Sequence, residues 1–82
     1  MIKIDVEGHE FEVLQGARKL LHERKPLMSI ELHSGMLINK GTSALAIADY
    51  LEQAGYVFRD MHFKSVKKGF FDREDNFRVF AM

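Results

Sequence analysis

The first thirty-three residues constrain the fold most, because apolar periodicity switches there from two to 3.6 and back. Ile2, Ile4 and Val6 alternate with Lys3 and Asp5, a period that predicts a strand over residues 2–6. Gly8 breaks the pattern. Over residues 10–22 the apolar positions Val13, Leu14, Ala17, Leu20 and Leu21 form one face of an amphipathic helix. Gly16 shares that face, and a glycine inside a helix costs about 1 kcal/mol against alanine. It is read as a point where the helix approaches a sheet closely. Lys25-Pro26 ends the helix, since proline disfavours helical geometry in the residue before it. "LMSIELH", residues 27–33, is then a second strand. Strand, helix and strand in such short compass require parallel pairing through a right-handed crossover.

The rest of the chain continues this pattern. "SGMLINKG", residues 34–41, reads as a loop or a partly ordered segment. Thr42 or Ser43 can cap a second helix that runs to about Ala54 with Ala44, Ile47, Ala48 and Leu51 on its inner face. Gly55 suits the left-handed position after the last turn. "YVFRDMHF", from Tyr56, is a third strand. "KSVKKGFFDRED" is a polar connection in which Lys64, Lys67 and Lys68 are answered by Asp72, Glu74 and Asp75. "NFRVFAM", residues 76–82, is a fourth strand. The predicted order is strand-helix-strand-helix-strand-strand: an α/β chain with a parallel sheet and an antiparallel last strand.

The 82 residues carry 12 Lys plus Arg against 12 Asp plus Glu. With no net charge there is no electrostatic basis for nucleic-acid binding. The lack of cysteine excludes disulfides and thiolate metal sites. No apolar run is long enough to span a bilayer and no signal peptide is visible, so the expected compartment is the cytoplasm.

In an open parallel sheet, ligands bind beyond the carboxyl ends of the strands. Asp5, Glu7 and His9 lie at the end of the first predicted strand, Glu31 and His33 at the end of the second, and Asp60 and His62 at the end of the third. His9 is the candidate general base, since an unperturbed imidazole titrates near pH 6.5; a histidine of the first helical turn is the structural alternative. Glu7 and Glu10 also suit a helix N-terminus electrostatically. Asp60 and His62 fit a solvated strand end. Asp5, Glu7, His9, Glu31 and His33 are all oxygen or imidazole donors, so a divalent metal is a second possibility, without a tight ligand signature to support it.

"IKIDVEGHEFEVLQGA" followed by "KPLMSIELH" resembles the FkbM-type methyltransferases. The resemblance rests on Asp5, Glu7, Gly8, Glu10, Val13-Leu14, Gly16-Ala17, Pro26 and Glu31, with "LEQAGYVF" similar to a later helix-to-strand turn. It implies a class I Rossmann-like fold, S-adenosylmethionine as methyl donor and methylation of a hydroxyl on a small molecule or glycan. It assigns Asp5, Glu7 and His9 to catalysis, Asp5 also to the donor, and Glu31 and His33 to the acceptor. The chain corresponds to the C-terminal portion of that domain, the fourth to seventh strands of seven. The Gly-rich donor loop and the carboxylate for the donor ribose belong to the other half, and the six glycines here form no Gly-x-Gly pattern. The isolated chain is therefore expected to be inactive. As a non-enzymatic alternative, it would act as a half-domain that docks on a separate N-terminal half or dimerises through its first strand.

Overall fold

The computed structural model describes residues 1–5 and 7–82; the part of the first predicted strand at Val6 lies outside the described residues. The elements run β1 (Ile2–Ile4), α1 (Glu10–Gly16), α2 (Arg18–Arg24), β2 (Met28–Leu32), α3 (Ser34–Asn39), α4 (Ala44–Gln53), β3 (Phe58–Arg59), β4 (Ser65–Val66), a 3-10 helix (Lys68–Phe71) and β5 (Phe77–Ala81). They build one five-stranded sheet in the order β1-β2-β5-β3-β4. β1 and β2 are parallel, with Ile2 opposite Met28 and Ile4 opposite Ile30. β5 enters between β2 and β3 and is antiparallel to both. The α/β class and the antiparallel last strand are as the periodicity predicts.

Four segments depart from the predicted order. The first helix is broken at Ala17, where φ is −97° and ψ 14°. Its N–H reaches the carbonyls of both Val13 and Leu14, a tightened turn that re-aims the chain. Leu14 and Leu21 lie in the core at 0% and 1% exposure, while Val13 and Leu20 stay above 40%. A Cβ added at Gly16 would meet nothing within 4 Å, so this glycine does not mediate close packing on the sheet. Residues 34–41 are not a loop: α3 forms there around one buried anchor, Leu37. A single apolar contact per six residues is too little for a periodic signal.

The third predicted strand is cut short. After Phe58–Arg59 the chain turns back, because Asp60 Oδ1 accepts from the N–H groups of His62 (2.8 Å) and Lys64 (3.0 Å). These bonds hold Asp60 below the usual carboxylate range, the one to Lys64 most strongly. Asp60 and His62 are thus parts of a turn between β3 and β4. The predicted pairing of Lys64, Lys67 and Lys68 with Asp72, Glu74 and Asp75 is absent among the described residues. Lys68 instead binds Asp49 on α4 at 2.7 Å, and Asp75 binds Arg73. The Phe70-Phe71 pair of this connection is structural: Phe71 is 1% exposed and packs edge-on against Phe58, with ring centroids 4.8 Å apart.

α4 follows its pattern. Ser43 caps it, its side chain accepting from the Ala46 N–H at 3.1 Å, and Ala44, Ile47, Ala48 and Leu51 are buried. Together with Met28, Ile30, Leu32 and Val79 from the sheet they form the centre of one core.

Candidate functional site

The site grows from one buried acid. Glu10 opens α1 and has no exposed surface. Its carboxylate accepts from the Gly8 N–H at 2.7 Å, from the His33 N–H at 2.9 Å, and from the His33 ring at Nδ1, 3.3 Å away. A carboxylate survives burial only when its oxygens are met by donors in this way. The bonds join the β1–α1 turn to the residue after β2, twenty-three positions along the chain. Two successive left-handed residues, Glu7 at φ 47° and Gly8 at φ 96°, turn the chain so that Glu10 points inward. Gly8 is required there for space as well: a Cβ would come 2.7 Å from Met36 Cβ on α3.

Because Nδ1 of His33 faces Glu10, Nε2 faces outward across the strand ends. It lies 3.5 Å from Asp5 Oδ1 and 3.9 Å from Glu31 Oε2. One ligand atom from each of Asp5, Glu31 and His33 can be enclosed within 4.8 Å of the others. Arg78 on β5 sits 3.8 Å from Glu31 Oε2 but donates its hydrogen bond to Ser29 Oγ, at 2.7 Å. Of the five predicted site residues, the fold brings these three together.

Glu7 and His9 stand apart. Glu7 occupies the exposed turn, so it does not continue the line of β1 as Asp5 does. The His9 side chain is 62% exposed and belongs to a surface trio, with Nδ1 2.7 Å from Lys40 Nζ and 2.9 Å from Glu12 Oε2. Lys40 also binds Glu12 at 2.6 Å. Lys40 first, and His9 second, hold the Glu12 carboxyl down at about 2.

Glu10 is the one member of this cluster that the sequence reading does not place at the site: helix electrostatics explains it as a favourable charge in a first helical turn, and the resemblance names it as a matching position without a role. The available signal was its spacing. Glu10, Leu14, Ala17 and Leu21 fall on one helical face, so an acid stands in line with core residues and must be buried with partners. The broad surface hollow lined by Gly16, Arg18, Lys19, His22 and Glu23 shares no residue with this cluster.

In this α/β protein, acids and an imidazole are gathered beyond the carboxyl ends of adjacent parallel strands, the position at which open α/β sheets take their ligands. The FkbM methyltransferase domain matches residues 1–58 of the 82, a span that holds Asp5, Glu10, Glu31 and His33. The chain belongs to this family of methyltransferases. No curated protein and no solved structure gave a match. No helix among the described residues is long and apolar enough to cross a membrane.

Proposed function

We propose that the chain forms the acceptor side of an S-adenosylmethionine-dependent methyltransferase that methylates a hydroxyl oxygen, and is the C-terminal portion of a class I Rossmann-like domain. The observation that carries this reading is the Asp5–Glu31–His33 cluster, inside the family match and at the carboxyl ends of β1 and β2. The order β1-β2-β5-β3, with β5 antiparallel, supports the placement within the domain.

The donor supplies an electrophilic methyl group. The residues of this chain do not complete a pocket for it: the six glycines form no Gly-x-Gly loop, although the Asp5 carboxylate suits the positive charge of a sulfonium. They fit a hydroxyl acceptor. Asp5 and Glu31 accept hydrogen bonds from it and orient it, which removes much of the entropic part of the barrier. His33 is placed to take its proton at Nε2, because Glu10 keeps the other ring nitrogen engaged. Glu7 and His9, exposed on the turn that leads into α1, are placed to contact the outer part of the acceptor.

The test is transfer of labelled methyl to hydroxyl acceptors by the complete domain. Asp5→Asn is expected to lower kcat at least tenfold, and His33→Gln about a hundredfold, with melting temperature nearly unchanged for the exposed Asp5 variant. The isolated 82-residue chain should bind S-adenosylmethionine no more tightly than millimolar. Full activity of Asp5→Asn, or low-micromolar donor binding by the isolated chain, refutes the reading.

One observation favours the interaction alternative. Among the described residues β1 pairs on one side only and forms the sheet's edge, beside Met1 and Leu27 at 68% and 38% exposure. Such an edge is a template for strand pairing with another chain. Concentration-dependent dimerisation in light scattering, together with no methyl transfer by the complete domain, would favour this alternative.

A further inference from the structure

We propose that the hairpin of β3 and β4 docks on the surface of an anionic lipid bilayer, with Met61 and Phe63 entering the interface and Arg59, Lys64 and Lys67 meeting the lipid phosphates. Three observations carry this, and none depends on the methyl-transfer reading.

First, charge is segregated. Residues 57–68 hold four of the 12 Lys and Arg and only one of the 12 Asp and Glu. That acid, Asp60, accepts from the N–H groups of His62 and Lys64. Lys68 faces Asp49 at 2.7 Å and, further off, Glu52. Among the described residues Lys64 and Lys67 make no salt bridge, and both are exposed. The acids at the other end of the sheet do not cancel this field. Glu31 on β2 and Asp5 beyond β1 lie three and four strand positions from β4. At roughly 4.8 Å per strand that is about 14–19 Å, beyond the Debye length of about 8 Å at physiological salt.

Second, apolar side chains project from the same tip. Met61 is 64% exposed and Phe63 54%. Apolar groups that enter the acyl boundary, flanked by cations that reach the phosphates, are the pattern of a peripheral membrane contact. A nucleic-acid backbone pairs with the cations alone and leaves Met61 and Phe63 in water.

Third, the tip is held in shape before any partner arrives. Phe63 has φ 60°, a left-handed conformation that bulky side chains rarely adopt. Its N–H donates to the Asp60 carbonyl at 3.0 Å, its own carbonyl accepts from Arg59 Nη1 at 2.8 Å, and its ring stacks on Phe80 with centroids 4.6 Å apart. Such a residue persists only where its surroundings over-determine it. Here they keep an aromatic ring outside the core, and a preformed tip loses little conformational freedom on docking.

The experiment is co-sedimentation of the 82-residue chain with phosphatidylcholine vesicles, with and without one-third phosphatidylserine. Binding is expected to be at least tenfold tighter to the anionic vesicles and mostly lost in 1 M NaCl, where the Debye length falls to about 3 Å. Lys64→Gln together with Lys67→Gln is expected to weaken it about thirtyfold, each cation beside an anionic leaflet being worth about 1 kcal/mol. Met61→Ser leaves the Phe63–Phe80 stack in place and is expected to weaken binding at least threefold. Lys19→Gln together with Arg24→Gln removes the same charge from exposed positions on α2 and is expected to leave binding unchanged. Far-UV circular dichroism checks the fold of each variant. Equal binding to the two kinds of vesicle, an equal loss in the α2 pair, unchanged binding by Met61→Ser, or displacement from the vesicles by a single-stranded oligonucleotide overturns the proposal.

Discussion

Replacing Glu10 tests whether the buried acid holds the site together. Glu10→Ala leaves the N–H groups of Gly8 and His33 without their acceptor. Each buried, orphaned donor costs about 1–3 kcal/mol, so the variant should lose about 2–6 kcal/mol. A chain of 82 residues has a total stability of about 4–12 kcal/mol, so this is on the order of half of it. Glu10→Gln keeps one oxygen for one N–H but turns an amide NH2 toward the other donor. Its loss should be that of a single bond, about 1–3 kcal/mol. The assay is urea unfolding followed by far-UV circular dichroism, with the midpoint falling in the order parent, Gln, Ala at unchanged slope. Glu12→Ala, whose parent side chain is 52% exposed, is the control and should unfold close to the parent midpoint, since an exposed ion pair contributes little. If Glu10→Ala unfolds no earlier than Glu12→Ala, the carboxylate does not bridge the β1–α1 turn to β2 and the reasoning fails.

Two glycines with opposite surroundings should respond oppositely. Gly8→Ala forces a left-handed alanine against Met36 Cβ, with a cost of about 2 kcal/mol or more from strain and overpacking. Gly16→Ala meets open space and should gain up to about 1 kcal/mol from helix propensity; chemical denaturation reads both, and a destabilised Gly16→Ala would restore the close-packing explanation. Glu12, lowered from 4.5 to about 2 by Lys40 and His9, contributes stability that is present above pH 4.5 and lost as pH falls toward 2. The pair is exposed and screened, so the effect is small; Glu12→Gln should flatten the pH 2–4.5 dependence, and 1 M NaCl should do the same to the parent. Parallel curves for parent and variant across that range would mean the Lys40–Glu12 contact does not persist in solution.

Local pattern alone determined the α/β class, the buried face of α4 with its Ser43 cap, and the grouping of acids and histidines near two strand ends. These depend on period and on single capping residues, which act over a few positions. The residues from Asp5 to Glu31 also sufficed to mark the FkbM resemblance, because a long run of matched spacing needs no knowledge of contacts. Tertiary structure decided the rest. Ala17 breaks a continuous helical pattern, and packing takes Leu14 and Leu21, not Val13 and Leu20, into the core. Asp60 folds an apparently continuous strand into a hairpin through two backbone bonds. Lys68 finds Asp49 on another element rather than the acids near it in sequence. Above all, Glu10 and His33 lie twenty-three residues apart, and their bond forms only when the chain has turned at Gly8 and paired β1 with β2. A sequence shows which groups are available near a strand end; which of them share a site depends on contacts whose partners are set by the packing of the whole chain.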